Sequence, residues 1–207
     1  MIELNATISD GTNKKIPIDP DSKTVDISNN SIVVIDLSDL ETHERIEELN
    51  LSKNNLMTVD LTVLAFCPEL RAILLNANNL RTVNLDMLRY NVLLERIDLG
   101  VNQIIRVDLN PLSDCKSLVS LNLEKNRLMS LDVSPLSKCV KLEELNLLEN
   151  PLKRLDVTPL FSCASLKSLR VPESIRLTSR IKQEIEILNP PAINDLVAEG
   201  RIEFILE

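Results

Sequence analysis

The sequence predicts an α/β solenoid, and three observations carry that prediction. A 24-residue unit recurs with starts at 22, 46, 70, 94, 118 and 142, then partially at 166, without one insertion. Seven columns of the unit, at positions 1, 4, 6, 11, 14, 16 and 19, are aliphatic. Over six units that is 42 slots, of which 41 hold Leu, Ile or Val, and only Ser22 departs. Each unit also has a residue favoured at helix starts at position 17: Ser38, Thr62, Asp86, Asn110, Ser134 and Thr158. Self-similarity at a fixed period of this length means stacked supersecondary units, because no single unit can bury seven apolar groups alone.

Taken in order, residues 1–21 alternate as Ile2, Leu4, Ala6 and Ile8, turn through DGTNKK, and resume with Ile16 and Ile18. That pattern predicts a β-hairpin covering the first apolar cross-section and pairing onto the first strand of the array. The array itself occupies 22–171. Within each unit, positions 4 and 6 point to one face of a short strand. Position 9 is Asn throughout: Asn30, Asn54, Asn78, Asn102, Asn126 and Asn150. A side-chain amide both donates and accepts, so this column predicts an internal ladder satisfying backbone groups where the strand turns inward.

Position 15 is Asp except for Asn84 in the third unit, lies between two inward residues, and is expected to accept hydrogen bonds from local backbone. Position 17 then caps a short helix over positions 18–23, with Pro111, Pro135 and Pro159 at its first residue, where the missing N–H costs nothing. Position 22 on that helix carries Cys67, Cys115, Cys139 and Cys163, with His43 and Asn91 in the other two units. Small inward-facing thiols predict packing between helix and sheet. After Val171 the pattern fails, with Ser174 in place of the ladder Asn. Residues 172–207 are expected to form a C-terminal cap: a helix with Ile181, Ile185 and Leu188 on one face, a second helix over PAINDLVAEG, and a strand-like tail RIEFIL.

The motif LxxLxLxxNxL stands here as IEELNLSKNNL (46–56), LVSLNLEKNRL (118–128) and LEELNLLENPL (142–152). It resembles the signature of leucine-rich-repeat proteins, over about 22–171. The resemblance implies a right-handed solenoid with a concave parallel β-sheet, short helices on the convex side, and an N-terminal β-hairpin cap and C-terminal helical cap. It also implies an intracellular protein-binding role. Relatives with 22-residue repeats regulate phosphatases, and some regulators of this type act on small GTPases, for which Arg96 would be the candidate arginine.

Composition narrows the function classes. Net charge is −8, which disfavours a nucleic-acid phosphate backbone or an anionic membrane. The N-terminus MIELNATISDGTNKKIPI has no basic segment followed by an apolar run, so a cytoplasmic protein is expected. Three glycines allow no phosphate-binding loop, and the single His43 offers no base to most of the cysteines. No catalytic residue, metal site or cofactor is therefore expected, and a monomer is favoured over a homo-oligomer.

The expected function is a non-catalytic scaffold or adaptor that binds a protein through outward residues; a regulator of a phosphatase or small GTPase, or a self-associating structural protein, is the alternative. Two surfaces compete for that role. On the concave side, Leu74 interrupts a polar row at position 5, with Ala72, Ala77 and Val101 around it and Arg96 and Asp98 at its edge. On the convex side, outward positions 20 and 21 hold Phe66, Tyr90 and Phe161, with Arg89 alongside, and aromatic residues with Arg favour interface hot spots.

Overall fold

The computed structural model describes residues 2–180 and 189–205. Its strands are β1 (Ile2–Ile8), β2 (Asn13–Ile18), β3 (Thr24–Asp26), β4 (Ile32–Asp36), β5 (Glu48–Asn50), β6 (Ala72–Leu74), β7 (Arg96–Asp98), β8 (Ser120–Asn122), β9 (Glu144–Asn146), β10 (Arg154–Asp156), β11 (Ser168–Arg170), β12 (Arg176–Ser179) and β13 (Ile202–Phe204). Seven of them form one parallel sheet in the order β11-β9-β8-β7-β6-β5-β3. Its register pairs each residue with the one 24 positions on, as Val25 with Leu49 and Ile97 with Leu121. Like columns therefore lie side by side, and the central residue of β3 and of β5 to β9 is buried. Of the 41 aliphatic column residues, all but Val59, Val107 and Leu131 are buried, in one continuous core.

The convex side departs from the expected helices. It carries six five-residue 3₁₀ turns over Ser38–Thr42, Thr62–Phe66, Asp86–Tyr90, Asn110–Asp114, Ser134–Lys138 and Thr158–Ser162, occupying positions 17–21. Each is closed by a bond spanning three residues, such as His43 N–H to the Leu40 carbonyl at 2.8 Å. Five residues are too few to repay nucleation of an α-helix.

Position 17 does not cap with its side chain; the residue before it, position 16, is the cap, and it too makes no side-chain bond. The start is held from position 15 instead. Asp36 Oδ1 accepts from the Ser38 N–H, Asp60 from Thr62, Asn84 from Asp86, Asp108 from Asn110, Asp132 from Ser134 and Asp156 from Thr158, all at 2.8–3.0 Å. Asn84 performs the same bond, so the geometry needs a carbonyl-type oxygen and not a charge.

That distinction is testable by pH. The Ser134 hydroxyl and N–H beside Asp132 hold its carboxyl below the usual carboxylate value. A lowered folded-state pKa stabilises above the unfolded value of about 3.9 and loses that contribution as pH falls through the folded value. Asp132→Asn, which keeps the acceptor, should leave stability at pH 7 within about 0.5 kcal/mol of wild type and flatten its decline below about pH 4. Thermal melts at both pH values check this.

The two ends are closed differently from expectation. The hairpin β1–β2 forms, with Ile2 opposite Ile18 and Leu4 opposite Ile16, and Leu4, Ala6 and Ile18 are buried. It does not pair with the first strand of the concave sheet. β1 runs antiparallel to β4, pairing Ala6 with Ile35. The outer edge of β3 is blunted by Ser22, whose hydroxyl donates to the Thr24 carbonyl at 2.7 Å and lies 3.2 Å from the Thr24 N–H. The single polar intrusion in 42 aliphatic slots thus occupies the backbone of an edge strand that another chain would otherwise template on.

At the far end, β10, β12 and β13 form a second parallel sheet, and α1 (Pro191–Ala198) places Ala192, Ile193 and Leu196 inward, with the Ala192 N–H bonded to the Leu166 carbonyl. α1 corresponds to the helix expected over PAINDLVAEG, and β13 to the tail. The helix expected around Ile181, Ile185 and Leu188 lies outside the described residues. No helix among the described residues is long and apolar enough to cross a membrane.

Candidate functional site

Two hydrogen-bond ladders run the length of the solenoid and separate residues that hold it from residues free to do something else. In the first, Asn78 Nδ2 donates to the Leu51 and Leu75 carbonyls at 2.9 and 3.0 Å, while its Oδ1 accepts from the Leu56 N–H at 3.0 Å. Asn54, Asn102, Asn126 and Asn150 repeat the same three bonds in their own turns, and all five are buried. Asn30 differs. It is half-buried, its amide reaches only the Ser28 carbonyl, and its oxygen faces Lys14 Nζ at 3.3 Å. With no preceding turn to bond, the first rung is a surface residue.

The second ladder is the position-22 column, where the sequence pointed only to packing. Cys115 Sγ lies 3.3 Å from the Leu88 carbonyl, Cys139 3.3 Å from that of Leu112, and Cys163 3.2 Å from that of Leu136. Asn91 Nδ2 reaches the equivalent Leu64 carbonyl at 2.9 Å. Each is a donor to a position-19 carbonyl of the turn before, so thiols and amide replace one another as weak and strong versions of one bond. The first two turns differ: His43 Nε2 lies 3.2 Å from the Asp19 carbonyl, 24 residues back, and Cys67 Sγ is 3.9 Å from the His43 carbonyl, so neither makes the position-19 bond. All four cysteines are free and fully buried, and burial pushes the Cys67 and Cys139 thiols up to about 11 and those of Cys115 and Cys163 to about 12. Native protein at pH 8 should therefore resist a thiol-specific chromogenic reagent, and all four should react once denaturant unfolds the chain; labelling of the native fold within minutes would contradict this.

On the concave face, position 5 is also under structural demand. Asp26, Asn50, Asp98, Asn122 and Asn146 each accept from the N–H two residues on, at 2.9–3.1 Å. Leu74 stands in this row without an acceptor, so the turn forgoes a bond worth about 1 kcal/mol. The neighbouring strand residues are Asn50 and Asp98, and Leu74, Ala72 and Ala77 are half-buried. Arg96 pairs with Asp98 at 3.6 Å, and Asp98 in turn accepts from Asn122 Nδ2 at 2.9 Å. A Cβ at Gly100 would sit 2.7 Å from that Asn122 nitrogen, so glycine accommodates the polar network beside Leu74.

Position 8 adds a second irregularity, invisible in the repeat consensus. Asn29, Lys53, Ala77, Val101, Lys125 and Glu149 all have φ between 52° and 56°. Asn tolerates that left-handed conformation, whereas a β-branched residue is strained in it. Val101 is nonetheless kept there, 44% exposed, in the turn following Leu74.

The convex candidates divide. Phe66 and Tyr90 are exposed, at 51% and 58%, and Val92 and Leu93 extend their patch. Phe161 is not outward: it is 8% exposed, although it shares position 20 with the exposed Glu41 and Arg89 and the half-buried Ala65, Ser113 and Ser137. Arg89 is exposed, with its Nε bonded to the Asp86 carbonyl at 2.9 Å. Leu74 with Ala72, Ala77 and Val101 thus forms one group on adjacent turns, and Phe66 with Tyr90 another on the opposite side. No cluster of three His, Cys, Asp or Glu suited to a metal occurs among the described residues.

No protein-family model matches the chain, and no curated protein sequence does. Solved structures do. The plant peptide hormone receptor RGFR1 in complex with RGF2 is 21% identical with a TM-score of 0.61, over 72% of this chain and 24% of the receptor. Internalin F of Listeria monocytogenes is 21% identical, TM-score 0.55, over 89% of this chain and 54% of its own. Internalin C2 of the same organism is 27% identical, TM-score 0.53, over 72% and 70%. The chain thus spans about a quarter of the receptor and about half of internalin F. Its repeat motif and its parallel seven-stranded sheet agree with these neighbours, and the chain has the leucine-rich-repeat solenoid fold.

Proposed function

We propose that the chain is a non-catalytic scaffold or adaptor that binds a protein or peptide partner on its concave face, centred on Leu74. The observation that carries this reading is Leu74 itself, an apolar residue at a column whose other members supply a turn acceptor. Ala72, Ala77 and the strained Val101 widen the apolar area, and Arg96 and Asp98 supply charge at its edge. Small, preorganised apolar depressions with a polar rim suit a protein hot spot. The plant receptor whose fold this chain shares was solved with a peptide hormone, which supports the same type of use here.

The convex cluster of Phe66, Tyr90, Val92 and Leu93 favours a second reading, since four large side chains at 37–58% exposure form the larger exposed apolar area. Regulation of an enzyme through either surface fits the same module, as does a monomeric cytoplasmic protein.

The test uses wild type, Leu74→Asn, and a Phe66→Ser/Tyr90→Ser double variant as baits for affinity capture. Partners retained by the double variant and lost with Leu74→Asn support the concave reading. The reverse pattern overturns it in favour of the convex patch.

A further inference from the structure

The chain's charge is distributed unevenly around each turn. After the strand, positions 8–13 carry the chain from the concave edge toward the convex side, and like positions of successive turns stack through bonds such as Arg127 N–H to the Ile104 carbonyl at 2.9 Å. In the third to sixth turns these positions hold Arg81, Arg106, Lys125, Arg127, Lys153 and Arg154, against the single acid Glu149. Six cations less one anion make +5, so the rest of a −8 chain carries −13.

All six cations are exposed, and none takes part in an ion pair among the described residues. On the strand side three basic residues are paired: Arg71 with Glu95, Arg96 with Asp98 and, in the partial turn beyond, Lys167 with Glu143. The acids near the six cations in sequence have other partners: Asp108, Asp132 and Asp156 accept from the N–H of the next 3₁₀ turn, and Glu124 accepts from Asn146 Nδ2 at 2.8 Å. The six exposed cations thus lie along one side of four successive turns, with a single acid among them.

Apolar side chains stand within this stripe. Ile105 and Met129 share position 12 in adjacent turns and are 47% and 76% exposed, and beneath them Val107 and Leu131 are only partly buried. Position 14 closes fully where another strand covers it, as Leu155 does opposite Leu177 of β12.

We infer that this lateral face binds an extended acidic polypeptide segment with interleaved apolar residues. The carboxylates would meet the arginines and lysines, and the apolar side chains would cover Ile105 and Met129. Four turns at about 4.8 Å spacing span roughly 14 Å, the reach of about five extended residues. A polyanion without apolar groups would leave Ile105 and Met129 uncovered. A long one would also meet the −13 elsewhere, whereas a short segment interacts within the roughly 8–10 Å screening length.

The probe is a fluorescent peptide of about eight residues alternating Glu and Leu, titrated with the whole chain at low and high salt. Wild type should bind it, more weakly at high salt. The Arg106→Glu/Arg127→Glu/Arg154→Glu variant should bind about tenfold more weakly or worse. Ile105→Ser/Met129→Ser should weaken binding severalfold, as should replacing every Leu of the peptide by Glu. Leu74→Asn should leave it unchanged, which separates this surface from the concave one.

All substituted side chains of the stripe are exposed, and circular dichroism confirms that each variant folds. Equal binding by the charge-reversed variant, or by the all-Glu peptide, would overturn the inference. So would tighter binding of duplex DNA or of phosphatidylserine vesicles than of the peptide. Concentration-dependent self-association of wild type that the charge reversal abolishes would assign the stripe to a second copy and likewise overturn it.

Discussion

Asn102→Ala should destabilise the protein by about 3–5 kcal/mol, measured by chemical denaturation, which is far more than a concave substitution such as Asn122→Ala at about 1 kcal/mol. The difference follows from what each amide satisfies. Asn102 Nδ2 donates to the Leu75, Leu99 and Gly100 carbonyls at 3.1–3.2 Å, and its Oδ1 accepts from the Leu80 N–H at 3.0 Å. Removing it leaves the buried Leu80 N–H without a partner and takes one of two amide donors from each of the Leu75 and Leu99 carbonyls, which keep only Asn78 and Asn126 Nδ2, so two turns lose their link at once. Asn122 is half-buried and bonds Asp98 and the Glu124 N–H, both reachable by solvent. Asn30→Ala, at the terminal rung, should cost less than about 1 kcal/mol, since its amide bonds within its own turn. Equal losses at Asn102 and Asn122 would contradict the ladder.

The second large effect contrasts two leucines in one column. Leu155→Ala should cost about 3 kcal/mol and Leu131→Ala about half of that, though both occupy position 14. Leu155 is 1% exposed because β12 pairs alongside it, placing Leu177 opposite. Leu131 is partly buried, so its truncation removes less area from packing and leaves a site that solvent already reaches. Urea denaturation of the two variants, compared at constant slope, separates cavity cost from any change in the unfolded chain. A Leu131→Ala loss as large as that of Leu155→Ala would mean that β12 does not determine burial in this column.

The repeat was legible because its information is redundant. Aliphatic residues at positions 1, 4 and 6 recur in register, so an error in one turn is corrected by its neighbours, and the parallel sheet follows from the period. What the sequence did not disclose depends on neighbours that the period does not specify. β1 is recognisable as a strand from its alternation, but its pairing with β4 instead of β3 is a non-local choice. Position 17 has the residue types of a helix cap, yet the Asp two residues earlier takes the N–H first and the turn closes as 3₁₀. Phe161 looked outward by column, yet it is buried while Glu41 and Arg89 of the same column are exposed, a difference the period does not specify.

The candidate site was only half legible. Leu74 stood out as a break in a polar row, but that the row supplies turn acceptors, and that Val101 sits at φ 55°, required coordinates. The unpaired basic stripe also needed them, because its significance lies in which cations lack partners. A net charge of −8 concealed it, having pointed toward repulsion of anions in general.

If the repeat columns hold the fold and the irregular outward residues carry the binding, stability and function must separate at a single residue. Leu74→Asn provides that separation, because Asn restores the acceptor found at Asn50 and Asn122 and removes the apolar side chain. Its melting temperature and its capture of partner, measured on the same preparation, should show melting at or above wild type together with loss of the partner. A clearly lowered melting temperature, or capture equal to wild type, would contradict the assignment of Leu74 to binding.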